Sequence, residues 1–109
     1  MRTMKIEIKN KFTKKKIIEG EFTSLKEAIE KSKVSFREAD FYEANLRRTD
    51  LRGLDFYEAD FYGADLRGAD LRGADFREAN LCRADLYGAK IKIAQKEELL
   101  KSLGIKVDD

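Results

Sequence analysis

The chain of 109 residues contains no proline, no tryptophan and no histidine, and its single cysteine is Cys82. One cysteine excludes an intramolecular disulfide framework and a zinc site built on cysteines, which is typical of a protein in a reducing cytoplasm. The N-terminus lacks the apolar stretch of a secretory signal, and no apolar run approaches the roughly 20 residues that span a bilayer. We therefore expect a cytoplasmic protein without a membrane segment.

Motifs of catalysis and of cofactor binding are missing as well. There is no Gly-rich nucleotide motif, no serine-centred motif and no Cys/His spacing that would hold a metal. Asp and Glu are abundant, but Asp recurs at a fixed position of a repeat, where its expected role is to bind nearby backbone N–H groups. We predict no enzymatic activity, no catalytic residue, no cofactor and no metal.

The sequence does contain a bulky apolar residue at every fifth position from Phe36 to Ile91. An α-helix would spread these residues over all its faces, and a straight strand would send successive ones to opposite faces. A chain that bends once in each pentapeptide can instead point the bulky residue, and the alanine two positions before it, toward one axis. The predicted core residues are Phe36, Phe41, Leu46, Leu51, Phe56, Phe61, Leu66, Leu71, Phe76, Leu81, Leu86 and Ile91.

A second period of 20 residues is superimposed on the first. Phe recurs at 36, 56 and 76, Glu at 38, 58 and 78, and Gly at 53 and 73. A period of 20 corresponds to four pentapeptides in each turn of a square coil, so residues 20 apart stack at about 4.8 Å. Residues 34–93 would form about three turns, and we expect Phe56→Asp to unfold most of the chain because it buries an unpaired charge.

The N-terminal segment, residues 1–33, is predicted to close one end of the coil. Apolar and polar residues alternate between residues 4 and 22, which indicates a β-hairpin. Ser24 and Glu27 then form a capping-box pattern, in which each side chain satisfies a backbone N–H at the start of a helix. A short helix is expected from Leu25 to Lys33.

The C-terminal segment, residues 94–109, is predicted to contain a second helix from Gln95 to Leu103, ended by Gly104. This helix contains three leucines that need a buried environment, Leu99, Leu100 and Leu103. The three leucines either close the last turn of their own coil or contact a second copy of the chain.

The pentapeptides carry the pattern Ala-(Asp/Asn)-(Leu/Phe)-X-X, seen as Ala-Asp-Phe-Tyr-Gly at 59–63 and Ala-Asp-Leu-Tyr-Gly at 84–88. This pattern resembles the pentapeptide repeat protein family, over twelve copies and about half the chain. The resemblance implies an all-β solenoid, the right-handed quadrilateral β-helix of that family. Similar proteins often pair through the C-terminal end, which makes a homodimer an expectation here.

The resemblance also implies one function. Members similar to quinolone-resistance proteins bind DNA gyrase or topoisomerase IV by imitating the shape and negative charge of a DNA duplex. Residues 34–93 of this chain hold ten Lys and Arg against twelve Asp and Glu, so the repeat is close to neutral. A strongly acidic rod is not expected, which weakens this implication.

Outward-facing columns offer three further candidate surfaces. A basic surface is predicted at Arg47, Arg52, Arg67, Arg72 and Lys92, where phosphate could bind, although interleaved acidic residues favour a role in solubility.

The other two columns are acidic and aromatic. Glu38, Glu58 and Glu78 would stack their carboxylates, to attract a cation or, more simply, to pair with neighbouring arginines. Tyr42 and Tyr62 form an aromatic strip that continues into Cys82, which is expected to face solvent.

The prediction that follows is a non-enzymatic repeat scaffold or protein-interaction module with an unidentified protein partner. The alternatives are interaction with DNA gyrase or topoisomerase by DNA mimicry, and weak nucleic-acid binding through the basic column.

Overall fold

The structure is a computed structural model, and it describes residues 2–32 and 34–106. Met1, Lys33 and residues 107–109 lie outside the described residues, as does the predicted helix end at Lys33. A hairpin and a helix precede the repeat, and a single 3₁₀ turn and a second helix follow it. The elements are β1 Met4–Lys9, β2 Lys16–Phe22, α1 Leu25–Ser32, the 3₁₀ turn Ile93–Gln95 and α2 Lys96–Ser102.

The first two strands form the predicted antiparallel hairpin. Ile8 lies opposite Ile18, and both side chains are buried, which explains the alternation of apolar and polar residues. The connecting loop is held by Asn10, whose side-chain oxygen accepts the N–H groups of Phe12 at 2.8 Å and Thr13 at 3.0 Å. An Asn side chain that bonds the backbone two residues on stabilises a turn without glycine.

Helix α1 starts at the predicted cap. The Ser24 hydroxyl accepts the N–H of Glu27 at 3.1 Å, and the Glu27 carboxylate accepts the N–H of Thr23 at 3.0 Å. These bonds satisfy N–H groups near the helix start and lower the pKa of Glu27, chiefly through the Thr23 backbone. Ala28 and Ile29 on the inner face are fully buried.

The repeat forms a coil in which residues 20 apart are joined by parallel bridges, such as the pair Asp40 and Asp60. Each bridge is isolated, because only three residues separate one turn from the next. In the first pentapeptide the N–H of Phe36 donates to the carbonyl of Asp55 at 2.9 Å, and the N–H of Asp60 returns to the carbonyl of Ala39 at 2.9 Å. Four pentapeptides therefore complete one turn.

Each corner of the coil is a tight turn with one residue in the left-handed region. The N–H of Ala39 donates to the carbonyl of Phe36 at 3.1 Å, and Glu38 between them has a φ of +59°. A turn with a positive φ at its third residue favours glycine there. The repeat has glycine at some corners, including Gly53 and Gly73, and Glu or Arg at others.

The interior is a stack of side chains along the axis. Phe56 lies between Phe36 and Phe76, with ring centroids 5.7 and 5.2 Å apart, and its edge contacts the neighbouring Phe61 column. Ten of the twelve predicted core residues are buried to 1% exposure or less. The prediction is wrong for Ile91, which is 41% exposed, and Leu86 is only half-buried. Both lie in the last turn, where no further turn covers them.

Within the described part of the chain, no helix has the length and apolar character needed to cross a bilayer.

Candidate interaction surfaces

One side of the C-terminal end of the coil is closed by the side chain of Gln95. Its Nε2 donates to the carbonyl oxygens of Leu71 at 2.8 Å and Ala74 at 2.9 Å. Its Oε1 accepts the N–H groups of Gly73 at 3.1 Å and Lys92 at 2.8 Å. The amide thus takes the place of backbone groups that a further turn would supply. From the sequence, Gln95 is predicted only as the start of a helix.

The neighbouring side is closed by the end of α2. The carbonyl of Ser102 accepts the N–H of Leu81 at 2.8 Å, and its hydroxyl donates to the carbonyl of Phe76 at 3.1 Å. The helix then stops at Gly104, whose φ is +83°. A left-handed residue directly after a helix lets the last carbonyls find partners.

The three leucines of this helix divide between the coil and solvent. Leu99 is 4% exposed within the core, and Leu103 packs against it while half-buried. Leu100 is also half-buried. Of the two roles predicted for them, the structure places Leu99 and Leu103 against their own coil.

The rest of this end, residues 84–93, is left open and is called here the open edge. Leu86 is half-buried, Ile91 is 41% exposed and Ile93 is 92% exposed. Among the described residues, the N–H groups of Leu86 and Ile91 and the carbonyls of Ala84 and Ala89 have no hydrogen-bond partner. The open edge combines apolar side chains with unpaired strand groups, which is how a sheet edge recruits another chain.

The N-terminal end is closed more completely. The carbonyl of Lys9 in the hairpin accepts the N–H of Asp40 at 2.8 Å, and the carboxylate of Glu30 in α1 accepts the N–H of Asp50 at 2.8 Å. Ile29 fills the space between them with no exposed surface. The first ring of the core is buried to 1% exposure or less, at Phe36, Phe41, Leu46 and Leu51.

Four arginines on the walls each donate two or more hydrogen bonds to the carboxylate of the aspartate two residues earlier. The guanidinium nitrogens lie 2.6 to 3.0 Å from the carboxylate oxygens. The same carboxylates accept the backbone N–H of their arginine, which fixes the wall between two corners. The pairs are Arg52 with Asp50, Arg67 with Asp65, Arg72 with Asp70 and Arg77 with Asp75.

These pairs change the interpretation of the predicted basic surface. Hydrogen bonds from Arg67 and Arg72 lower the pKa values of Asp65 and Asp70 to about 2, so both carboxylates stay charged at neutral pH. Arg47 also lies 3.6 Å from Asp65. Four of the five predicted residues already face a carboxylate: Arg47, Arg52, Arg67 and Arg72. The fifth, Lys92, forms no ion pair with the described residues. A continuous ridge of unpaired cations is not present there.

Comparison with known proteins decides the family. The sequence profile described as pentapeptide repeats matches residues 32–68 and 59–92 with eight copies, which together span more than half of the chain. The chain belongs to the pentapeptide repeat family. Its coil is accordingly the right-handed β-helix that this family forms.

Solved structures add one informative likeness. The chain is 31% identical to the pentapeptide repeat protein Rfr23 from the cyanobacterium Cyanothece 51142, with a TM-score of 0.54, over 56% of this chain and 42% of that one. It is 25% identical to QnrB1, a plasmid-mediated fluoroquinolone resistance protein, over 63% of this chain and 43% of that one, but a TM-score of 0.22 supports no argument. The chain thus spans about two fifths of the length of these structures. None of the curated proteins compared with it matches.

The pentapeptide coil separates its charges between two sides. The acidic side comprises residues 35–44, 55–64 and 75–84, with eight acidic and three basic residues. The basic side comprises residues 45–54, 65–74 and 85–94, with four acidic and seven basic residues. The near-zero net charge of residues 34–93 conceals this division. Counting charges in successive blocks of ten residues reveals it from the sequence.

The glutamate column lies on the acidic side. Arg37 and Arg77, expected to pair with it, pair instead with Asp55 at 2.6 Å and with Asp75 at 2.7 Å. Asp55 and Asp75 accept the backbone N–H of the residue two positions on, which holds their carboxylates on the wall, whereas Glu58 lies at a corner with a φ of +57°. Among the described residues no group of His, Cys, Asp and Glu is arranged to hold a metal.

The aromatic strip is present, but its continuation is not exposed as expected. The rings of Tyr42 and Tyr62 stack with centroids 5.5 Å apart. Cys82 is half-buried instead of facing solvent, because its Sγ lies 4.0 Å from the carbonyl of Ser102 at the end of α2. A contact strip on this side would therefore end at Tyr62.

Proposed function

We propose that this chain is a non-enzymatic protein-interaction module of the cytoplasm. It would consist of an N-terminal cap at 1–33, about three turns of quadrilateral coil at 34–93 and a C-terminal helix and tail at 94–109. The observation that carries the proposal is the open edge, where Ile91 and Ile93 are exposed beside unpaired backbone groups. A solenoid that covers one end and leaves apolar surface at the other is built to associate.

The partner we propose is a second copy of the chain. A row of alternating N–H and C=O groups at residues 84–93 is complementary to itself when two copies meet about a twofold axis. Such a contact would pair Leu86 and Ile91 of each copy with the same residues of the other. It would also remove Ile93 from water, where 92% of its side chain now lies.

Sedimentation velocity over a wide range of protein concentrations tests this proposal. We expect a monomer and dimer equilibrium for the natural chain, and a monomer for the double variant Ile91→Ser and Ile93→Ser. A chain that stays monomeric at the highest concentration would exclude the homodimer.

The matched control is Phe12→Ser, because Phe12 is also exposed, at 60%, but lies in the hairpin loop away from the open edge. If Phe12→Ser abolishes the dimer as well, the contact is not at the open edge. Circular dichroism of each variant confirms that the fold is retained.

The acidic side favours one alternative function, interaction with DNA gyrase or topoisomerase in the manner of a DNA mimic. Glu38, Glu58 and Glu78 form a carboxylate column on a surface with five more acidic than basic residues. A potential of one sign on one side can steer a basic groove toward it.

A supercoiling assay tests the alternative. Inhibition by micromolar natural protein that is lost in Glu58→Lys with Glu78→Lys would support it. Absence of inhibition by the natural protein would exclude it.

A further inference from the structure

The basic side carries a groove that extends from the first turn of the coil to the open edge. Its volume is about 330 Å³, and it lies at the corner between two walls of the coil. Six residues line it: Arg47, Arg48, Arg67, Gly68, Tyr87 and Gly88. Pockets for small molecules are commonly of this size or larger, with a few charged groups that orient the ligand.

Arg48 gives the groove its uncompensated charge. Among the described residues it forms no ion pair, whereas Arg47 and Arg67 share the carboxylate of Asp65 at 3.6 and 2.7 Å and Arg67 also lies 3.7 Å from the carboxylate of Asp85. The imbalance arises because Asn45 stands where other walls have an aspartate, so its side chain accepts the N–H of Arg47 without neutralising the guanidinium. Three guanidinium groups thus surround the groove against two carboxylates, those of Asp65 and Asp85, which leaves one positive charge in excess.

The floor of the groove is bare because two successive corners are glycine. The side chain of Arg48 extends over Gly68, where an added Cβ would lie 3.2 Å from the Arg48 Cγ. Gly88 follows in the same column, with its own added Cβ only 3.8 Å from the Gly68 backbone. Arg48 thus covers the corner at Gly68, and a ligand can approach the bare backbone at Gly88.

An aromatic wall completes the groove. Tyr87 is 84% exposed, more than the other exposed aromatic side chains of the described residues, Phe12 and Tyr42. Its position follows Arg47 and Arg67 in the same column of the coil. An exposed ring beside guanidinium groups offers a face for a planar base, and the guanidinium groups offer bidentate hydrogen bonds to phosphate.

We propose that this groove binds a phosphate group carried on an aromatic base, as in a mononucleotide or in a single strand of nucleic acid. Arg48 and the outer edge of Arg67 would take the phosphate, and Tyr87 would stack on the base. The phosphate of a mononucleotide, close to a dianion at neutral pH, competes with Asp65 better than a single carboxylate does, because it carries more charge and more acceptor atoms. The proposal does not rest on the homodimer, although Tyr87 and Gly88 belong to the open edge as well.

NMR titration with adenosine monophosphate at low ionic strength tests the proposal. We expect shifts centred on Gly68, Tyr87 and Gly88, with an affinity that falls about tenfold or more in Arg48→Glu, since a charge-assisted pair is replaced by repulsion. Tyr87→Ala should weaken binding by about fivefold or more through loss of stacking. Ribose 5-phosphate and adenosine should each bind more weakly than the nucleotide.

Arg83→Glu is the matched control. Arg83 also occupies a corner with positive φ and has no ion pair among the described residues, but it lies on the acidic side. The corner accepts glutamate, as at Glu43 and Glu58, so both variants should fold. Equal weakening by Arg48→Glu and Arg83→Glu would reduce the effect to net charge and overturn the site, as would no binding of the nucleotide at millimolar concentration.

A single-stranded oligonucleotide without a terminal phosphate distinguishes the two sources of the ligand. If the oligonucleotide binds more tightly than the nucleotide and its affinity falls in Arg48→Glu, the ligand of the groove is a single strand of nucleic acid. If only the nucleotide binds, the ligand is a free phosphate monoester.

Discussion

The inner side chains of the first turn of the coil, called here the first ring, are buried far more completely than those of the last turn, the last ring. All four side chains of the first ring are buried to 1% exposure or less, whereas the last ring changes from buried Phe76 and Leu81 to half-buried Leu86 and 41% exposed Ile91. The inner residues are of the same kind in both rings. What differs is the cover, because a hairpin and a helix spread over the first ring while one short helix covers half of the last.

The largest effect that would test this comparison concerns one isoleucine at each end, Ile29 in the helix that covers the first ring and Ile91 in the last ring. Ile29→Ala should lower the free energy of unfolding by about 2 to 5 kcal/mol, because it leaves a cavity in a fully buried site. At concentrations where the chain is monomeric, Ile91→Ala should cost less than about 1 kcal/mol, since 41% of that residue is exposed there. Urea unfolding of both variants measures the difference.

Similar losses at the two ends would contradict the comparison. That result would mean that Ile91 is buried in solution, for instance by a second copy. Repeating the measurement at several protein concentrations separates the two cases, because only a dimer contact makes the loss depend on concentration.

Gln95→Ala should have the next largest effect, at about 1 to 3 kcal/mol, because the coil loses two donors and two acceptors at once. Gln95→Glu is the informative second variant. Its carboxylate can still accept from Gly73 but faces the carbonyls of Leu71 and Ala74 without a proton to donate. We expect it to be at least as destabilising as alanine in thermal unfolding.

An unchanged melting temperature in both variants would show that Gln95 does not cover the edge. Glu30→Ala is the corresponding change at the N-terminal end. It removes only one hydrogen bond, to the N–H of Asp50, and should therefore cost less than Gln95→Ala.

Much of this architecture can be predicted from the sequence, because the coil repeats a local pattern. The five-residue and twenty-residue periods identify the inner positions and the columns, and the capping-box pattern locates the start of α1 at Ser24. The role of Gln95 cannot be predicted, because its partners include Leu71 and Ala74 and nothing nearby in sequence marks them. The exposure of Ile91 likewise depends on which turn comes last, not on its own pentapeptide.

The candidate surfaces are predicted less well than the core. The choice between Asp55 and Glu38 as the partner of Arg37 depends on which carboxylate points along the wall, and composition does not carry that information. The division into an acidic and a basic side is present in the sequence but is averaged out when charges are summed over the whole repeat.

The stability of the chain in acid depends on the ion pairs along the walls of the coil. The pKa values of Asp65 and Asp70 are lowered by their arginines to about 2, against 3.8 for the ordinary side chain. A lowered pKa in the folded state stabilises the fold above the unfolded pKa, and this contribution is lost as pH falls from about 4 toward 2. We expect the melting temperature to fall by a few degrees over this interval, because both pairs are solvated.

Arg72→Ala isolates one pair. The variant should show a shallower fall between pH 4 and pH 2 than the natural chain, because the pKa of Asp70 loses its largest lowering cause, the Arg72 side chain, and keeps only the backbone N–H of residue 72 and Arg52. An identical pH profile would show that the wall pairs do not contribute to stability.

The smallest effect we predict is a gain in the free energy of unfolding from a substitution at a corner of the coil, away from both ends. Glu58 has a φ of +57°, a conformation that costs residues with a Cβ about 1 to 2 kcal/mol, and it occupies the same column of like-charged residues as Glu38 and Glu78. Glu58→Gly removes both penalties but adds about 0.5 to 1 kcal/mol of backbone entropy in the unfolded chain. We expect a net stabilisation of about 0.5 kcal/mol in urea unfolding.

Gly73→Ala is the reverse change at another corner of the same coil. Its added Cβ would meet only ordinary contacts, 3.8 Å from the nearest atom, so the variant should be destabilised by the conformational cost of the left-handed corner alone. Glu58→Gly and Gly73→Ala should therefore shift the free energy of unfolding in opposite directions. If Glu58→Gly also destabilises the chain, the strain at its corner and the repulsion in its column are together smaller than the entropy that glycine adds to the unfolded state.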